Sequence, residues 1–300
     1  MDAVQTVHIT RINMLDREEY VEQAYFFRTM GERMLENAPM QDTLGSIREE
    51  ILATTKLPMA IDFMLDELKH GGAFAPAMER LAHYFTAFQA FVMREAENEH
   101  GRFDMRIALE LLRREAEYRA EGASTQGIFL YQFESLCRNR LGYDRGLIAV
   151  AADPIYDEAW RGWLNKLRRQ VGNIEVSDLI YVRSEYYNVV QQRRGRPGLP
   201  ADEPPLFGER EGRIALANRR KDPLLLFSAL HRHLGYPAVP RPRKVDQTQQ
   251  LLPMLAVRLE RVENRLKLLE EEQRGGIDLS RFMPPPEARP KDGPRDQGQR

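Results

Sequence analysis

The sequence is poor in the residues that most often announce chemistry. Its 300 residues include one cysteine, Cys137, which excludes an internal disulfide framework and any multi-cysteine zinc or iron–sulfur cluster. No apolar run approaches the roughly 18–20 residues that a membrane span requires, so no membrane association is expected. The opening Met1-Asp2-Ala3-Val4 lacks a basic segment followed by an apolar one, so no secretion signal is read and a cytoplasmic protein is expected. Net charge is nearly absent too, with 44 Lys and Arg against 45 Asp and Glu. The chain as a whole is therefore neither a polyanion binder nor an acidic solvating polymer. Phosphate-cradling glycine loops are missing: Gly208-Glu-Arg-Glu-Gly212 lacks the Gly-Lys-Ser/Thr ending of a P-loop and follows no strand. Neither His-Glu-x-x-His nor Gly-x-Ser-x-Gly occurs. No cofactor is implied, and a non-enzymatic protein is expected ahead of an enzyme.

What the sequence does carry is helical periodicity. Asp16 is placed to cap a helix running to about Asn37, with Glu19 in the capping-box position and Val21, Ala24, Met30 and Met34 at helical intervals. Residues 42–54 put Leu44, Ile47 and Ile51 on one face, and Pro58 opens another helix that Gly71-Gly72 stops. From Pro76, Met78, Leu81, Phe85, Phe88 and Val92 follow a 3-4-3-4 spacing, which predicts the longest helix of the set. Further helices are expected over 103–121, 125–141, 154–171 and 178–194. Only Leu147–Ala152 resembles a strand, and one strand makes no sheet. The expected fold is therefore all-α, a multi-helix bundle.

Charge and composition divide the chain. Residues 1–190 carry a net −8, residues 191–244 a net +7, and residues 245–300 none. Prolines and glycines crowd residues 195–208, which reads as a linker. The expected organisation is an N-terminal arm (1–15), an acidic helical bundle (16–194), and a basic Pro/Gly-rich linker (195–245) with a short helix at 223–234. An amphipathic coiled-coil helix (246–273) and a disordered tail (274–300), too poor in apolar side chains to offset its ordering entropy, complete the chain. The short helix has its cap, Asp222, an N1 proline, Pro223, and a stop, Gly235. It is apolar nearly all round, so it must dock on the bundle or on another chain.

The clearest pattern lies near the C-terminus. Leu252, Leu255, Leu259, Val262, Leu266 and Leu269 alternate spacings of three and four, with Arg258 and Arg265 at g and Glu263 and Glu270 at e. In a parallel homodimer Arg258 would pair with Glu263, and Arg265 with Glu270, across the two copies. The same stripe would also serve a helix packed on its own bundle or on a helical protein partner.

Candidate chemistry is thin, and each candidate has a plainer rival. Glu67-Leu-Lys-His70 and Glu97-Asn-Glu-His100 are Glu-x-x-His pairs, the spacing that lets one helix face offer two ligands to a metal. Glu22 and Glu50 could be cast as bridging carboxylates of a di-metal site. However, both histidines sit at helix ends, where the dipole and capping favour them without any metal. His231 and His233 point about 200° apart on a helix, so one metal cannot take both. Cys137 shares a face with Phe129 and Phe133 and reads as a buried, inert core thiol. Trp160 and Trp163 read as core before partner surface. Three basic clusters, Arg193-Arg194-Gly-Arg196, Arg219-Arg220-Lys221 and Arg241-Pro-Arg243-Lys244, could neutralise phosphates. No nucleic-acid recognition motif accompanies them and stacking aromatics are few. Internal pairing of the +7 segment with the acidic bundle is therefore preferred to nucleic acid, with Arg219, Arg220 and Lys221 as the contact candidates.

Two stretches carry a resemblance: Arg48-Glu-Glu-Ile-Leu-Ala-Thr-Thr-Lys-Leu-Pro58, and Phe207-Gly-Glu-Arg-Glu-Gly-Arg-Ile-Ala-Leu-Ala217 continuing to Gly235-Tyr-Pro237. Over residues 16–242 the chain resembles uncharacterised helical proteins of planctomycete-type bacteria. The resemblance implies a helical fold and no particular activity or ligand. The function expected is a helical interaction or scaffold protein that self-associates through its C-terminal coiled coil. A nucleic-acid adaptor and a di-metal carboxylate bundle are the alternatives.

Overall fold

A computed structural model of the protein describes residues 15–35, 39–98, 103–170 and 172–241. The leucine seam at 252–269, the tail, the N-terminal arm before Leu15 and His100 lie outside the described residues. Among the described residues the fold is all-helical. Its thirteen helices are α1 (Arg17–Met34), α2 (Met40–Glu50), α3 (Leu57–Gly71), α4 (Phe74–Arg80), α5 (Ala87–Glu97), α6 (Met105–Ala120) and α7 (Thr125–Asn139), followed by α8 (Tyr143–Ala151), α9 (Glu158–Gln170), α10 (Val176–Val182), α11 (Glu185–Arg193), α12 (Glu209–Ala217) and α13 (Pro223–Leu234). No described helix is long and apolar enough to cross a membrane.

The longest apolar stripe is real but does not make one helix. Met78, Leu81, Phe85, Phe88 and Val92 are all buried, yet α4 stops at Arg80 and α5 starts only at Ala87. Thr86 ends the interruption. Its hydroxyl accepts from Gln89 N, and the Gln89 side chain accepts in return from Thr86 N, a complete capping box. Both halves of the stripe face the same core, so the 3-4 spacing survives the break. A second expected helix, 178–194, is likewise cut at Ser184, whose hydroxyl accepts from Tyr187 N to start α11. The strand-like Leu147–Ala152 is helical within α8 through Ala151, with Leu147 and Val150 inward. Leu147 and Val150 are ordinary core for a short helix packed on α9, while Ile148 stays exposed, and propensity yields to that packing.

Further along, residues 195–208 do not run as a free linker throughout. Leu206 and Phe207 are buried, and Arg183 O accepts from both of their backbone N–H groups. Phe207 O in turn accepts from Glu185 N, which closes the isolated parallel bridge between Ser184 and Phe207. α12 follows at once, an element that glycines at both ends of Gly208–Gly212 concealed from the periodicity. Gly212 is required here: a Cβ on it would meet Ser184 Oγ at 2.2 Å.

α7 is the organising element. Every residue from Gly127 to Leu136 is buried, so the helix must be apolar or internally satisfied all round. Phe129 stacks on Phe133 at 5.6 Å between centroids and meets Trp160, Trp163 and Phe207 at 5.6, 5.0 and 6.1 Å. Trp160 and Trp163 are thus core. α13 docks on the same helix through Leu226, Phe227 and Leu230, while Leu224 and Leu225 stay exposed. Of the two docking options for this helix, its own chain supplies the surface. Tyr236, fully buried just beyond it, donates to Glu134 on α7 at 2.7 Å.

Candidate functional site

Two features centre on α7. The first is a buried polar network. Arg119 on α6 donates to Glu115 Oε1 at 2.8 Å and to Asp153 after α8. Gln132 donates to the same two oxygens at 2.8 and 3.1 Å, and its own carbonyl accepts from Tyr156 Oη at 2.8 Å. All five side chains are essentially inaccessible to solvent. Burial pushes the Glu115 carboxyl above its ordinary range, against the pull of Arg119. Burial alone would lower Arg119, but Asp153 and Glu115 outweigh it and hold the guanidinium charged. A cation shared between two carboxylates, one of them pushed toward its protonated form, is close to charge balance, which is what a sealed interior requires. No described residue partners Glu115 Oε2 or Tyr20 Oη, both of which are buried. The network has no mouth, so it holds α6, α7 and the α8–α9 connection together and meets no substrate.

The second feature is a cavity of about 450 Å³ on the other side of α7. Phe133 and Cys137 form its α7 wall, Tyr143 the start of α8, Val176 and Ser177 the start of α10, and Leu224, Leu226 and Phe227 the α13 wall. The rings are in contact: Phe133 lies 6.4 Å from Tyr143 and 6.1 Å from Phe227. Cys137 is half-buried, not the fully buried core thiol that the sequence predicts. Burial nevertheless pushes its thiol up to about 11, so it is protonated and unreactive at neutral pH. Four charged residues line the rim, Arg138, Lys221, Glu175 and Asp222. Arg138 is matched by Glu134. Glu175 Oε2 accepts from Arg220 N at 2.8 Å, and Asp222 Oδ1 caps α13 by accepting from Leu224 N at 2.9 Å.

Most of the remaining described candidates find structural roles. Glu67 pairs with Arg80 at 2.5 Å, and the His70 ring bonds Asp66 O at 2.7 Å. Glu97 caps the start of α4, accepting from Phe74 N and Ala75 N. Glu22 accepts from Leu52 N, and Glu50 takes Tyr25 and Arg33. These carboxylates are not brought together, and among the described residues no three His, Cys, Asp or Glu side chains converge as a metal site would require. His233 pairs with Glu211 at 2.8 Å, while His231 packs edge-on against Tyr236 at 5.1 Å. In the basic triplet, Arg219 is tied to Asp178 and lies over the Tyr181 ring. Arg220 adopts a left-handed backbone, φ 58°, held by Glu175. Only Lys221 of the three reaches the cavity rim. Neither the network nor the cavity is announced by a sequence motif. The network did leave one trace, because Glu115 and Arg119 continue the inward stripe of Ala108, Leu111 and Leu112.

No family model matches the chain, and no curated protein or solved structure matches it either.

Proposed function

We propose that this protein is a non-catalytic helical interaction protein whose described residues form a helical body and whose leucine seam at 252–269 drives self-association as a parallel coiled-coil dimer. One structural observation supports the non-catalytic half most. Among the described residues, several ionisable side chains that sequence reasoning offered for chemistry are spent on the fold: Glu97 caps α4, Glu67 pairs with Arg80, His233 with Glu211, and Arg219 with Asp178. A side chain held this way is a poor acid, base or ligand, because using it would break a contact that positions a helix. The self-association half rests on the 3-4 seam with complementary Arg and Glu at its flanks. A cytoplasmic setting fits the single cysteine.

The test is light scattering on the full chain beside one ending at Arg241. The full chain is expected at twice the monomer mass and the shortened one at the monomer mass. Equal monomer masses for both would remove the self-association reading.

A further inference from the structure

The sealed network has no entrance, and of the basic triplet Arg219 is tied to Asp178, Arg220 is held to Glu175 through its backbone, and Lys221 lines the cavity itself. The cavity between α7 and α13 is different: it is open, ring-lined and unassigned. We infer that it is a binding site for an uncharged, compact apolar molecule, one aromatic ring system in size, that stacks among Phe133, Tyr143 and Phe227.

Three observations carry this. The first is size and wall chemistry. About 450 Å³ falls within the roughly 300–1,000 Å³ range of small-molecule sites, and rings and aliphatic side chains make up most of the lining, with Cys137, Ser177 and Asn218 as its uncharged polar groups. The second is charge. The rim holds two cations, Arg138 and Lys221, and two anions, Glu175 and Asp222. The thiol inside is held protonated by its surroundings. A ligand carrying a full charge would be desolvated against a lining that offers no net compensation, whereas a neutral one meets no such penalty. The third is rigidity of the rim. Lys221 follows Arg220, whose left-handed backbone is pinned to Glu175, while Asp222 is fixed as the cap of α13. A non-glycine residue persists in that conformation only where its surroundings over-determine it, and such residues concentrate at binding sites. The inference does not depend on self-association, since every residue it uses lies in the described body.

The chain's single cysteine makes the site directly testable, because S-alkylation, read by mass mapping of the peptide that holds it, reports on Cys137 alone. Two neighbouring exposed leucines supply a matched pair of variants: Leu224 is 47% exposed and lines the cavity, while Leu225 is 53% exposed and does not. Cys137 of the full chain would be alkylated with iodoacetamide at pH 9 in the presence of 1-naphthol, 1-naphthoate or 1-naphthylmethylammonium. At pH 9 part of the naphthol is ionised, so calorimetric titration at pH 7 supplies the comparison of affinities. The expected result is at least fivefold protection by 1-naphthol and affinities at least tenfold weaker for both charged analogues. Leu224→Glu should abolish protection, and Leu225→Glu should leave it intact. Absence of naphthol binding, or equal loss in both leucine variants, would overturn the site. Tighter binding of either ion than of naphthol would overturn the assigned ligand class.

Discussion

α7 separates two interiors built on opposite principles. On one side Gln132 joins Arg119, Glu115, Asp153 and Tyr156 in a network with nearly every polar atom partnered and no path to solvent. On the other, Phe133 and Cys137 face a cavity whose walls are apolar and whose mouth is open. Residues 132 and 133 are adjacent in sequence, and on a helix they point about 100° apart. The contrast teaches where this protein places rigidity and where it leaves room. Charged groups sealed together lock three elements in one geometry, because moving any of them strands a buried charge. An apolar hollow imposes no such condition, so its edge tolerates change and its space can be filled.

The largest effect should come from breaking the sealed side. Arg119→Met would leave Glu115 and Asp153 buried without their cation, and a loss of about 3–5 kcal/mol is expected by urea denaturation. An unchanged midpoint would show that the network is not holding these helices. Next in size is the thiol on the cavity side. Its elevation from an ordinary 9.0 to about 11 corresponds to roughly a hundredfold less thiolate at pH 8. Iodoacetamide should therefore alkylate Cys137 in the folded protein about a hundred times more slowly than in the urea-unfolded chain. Equal rates would mean that the wall is open to water.

A smaller effect separates the two sides by pH. Because burial raises Glu115 in the folded state, the folded protein keeps that proton to higher pH than the unfolded chain does. The associated stability is complete below the ordinary carboxylate value of 4.5 and is lost as pH rises through the raised folded value. Glu115→Gln should thus flatten the decline of the urea midpoint above pH 4.5. A decline as steep as that of the unsubstituted protein would show that Glu115 is ionised in the fold. The smallest effect is expected at the cavity edge. Leu224→Ser should change stability by no more than about 0.5 kcal/mol, since half the side chain is already in water. A loss above about 1 kcal/mol would make that edge part of the core.

Much of this fold was legible because its helices announce themselves locally. Proline, glycine and aspartate mark starts and stops at Pro58, Gly72 and Asp222, and each performs that role in the structure. The break before α5 carried a readable signal as well, the Thr-x-x-Gln spacing of Thr86 and Gln89, which an unbroken apolar stripe overrode. The burial of Phe207 had no such signal. A phenylalanine at the end of a Pro/Gly-rich segment gives no hint that Trp160 and Trp163 wait for it 40-odd residues upstream. The network was illegible for a related reason. Glu115 and Arg119 continue an inward stripe, but nothing near them in sequence shows that Asp153, 34 residues from Arg119, completes a buried network with them.

Residue order alone settles what is short-ranged here: helix-forming periodicity, caps, the near-cancelling charge and the exclusion of disulfide or multi-cysteine metal chemistry. Those follow from forces that act within a turn or two of backbone, or from composition outright. Which faces of α7 meet charge and which meet an apolar cavity was decided by packing among segments distant along the chain. Burial is a property of everything that surrounds a side chain, and no local spacing encodes it.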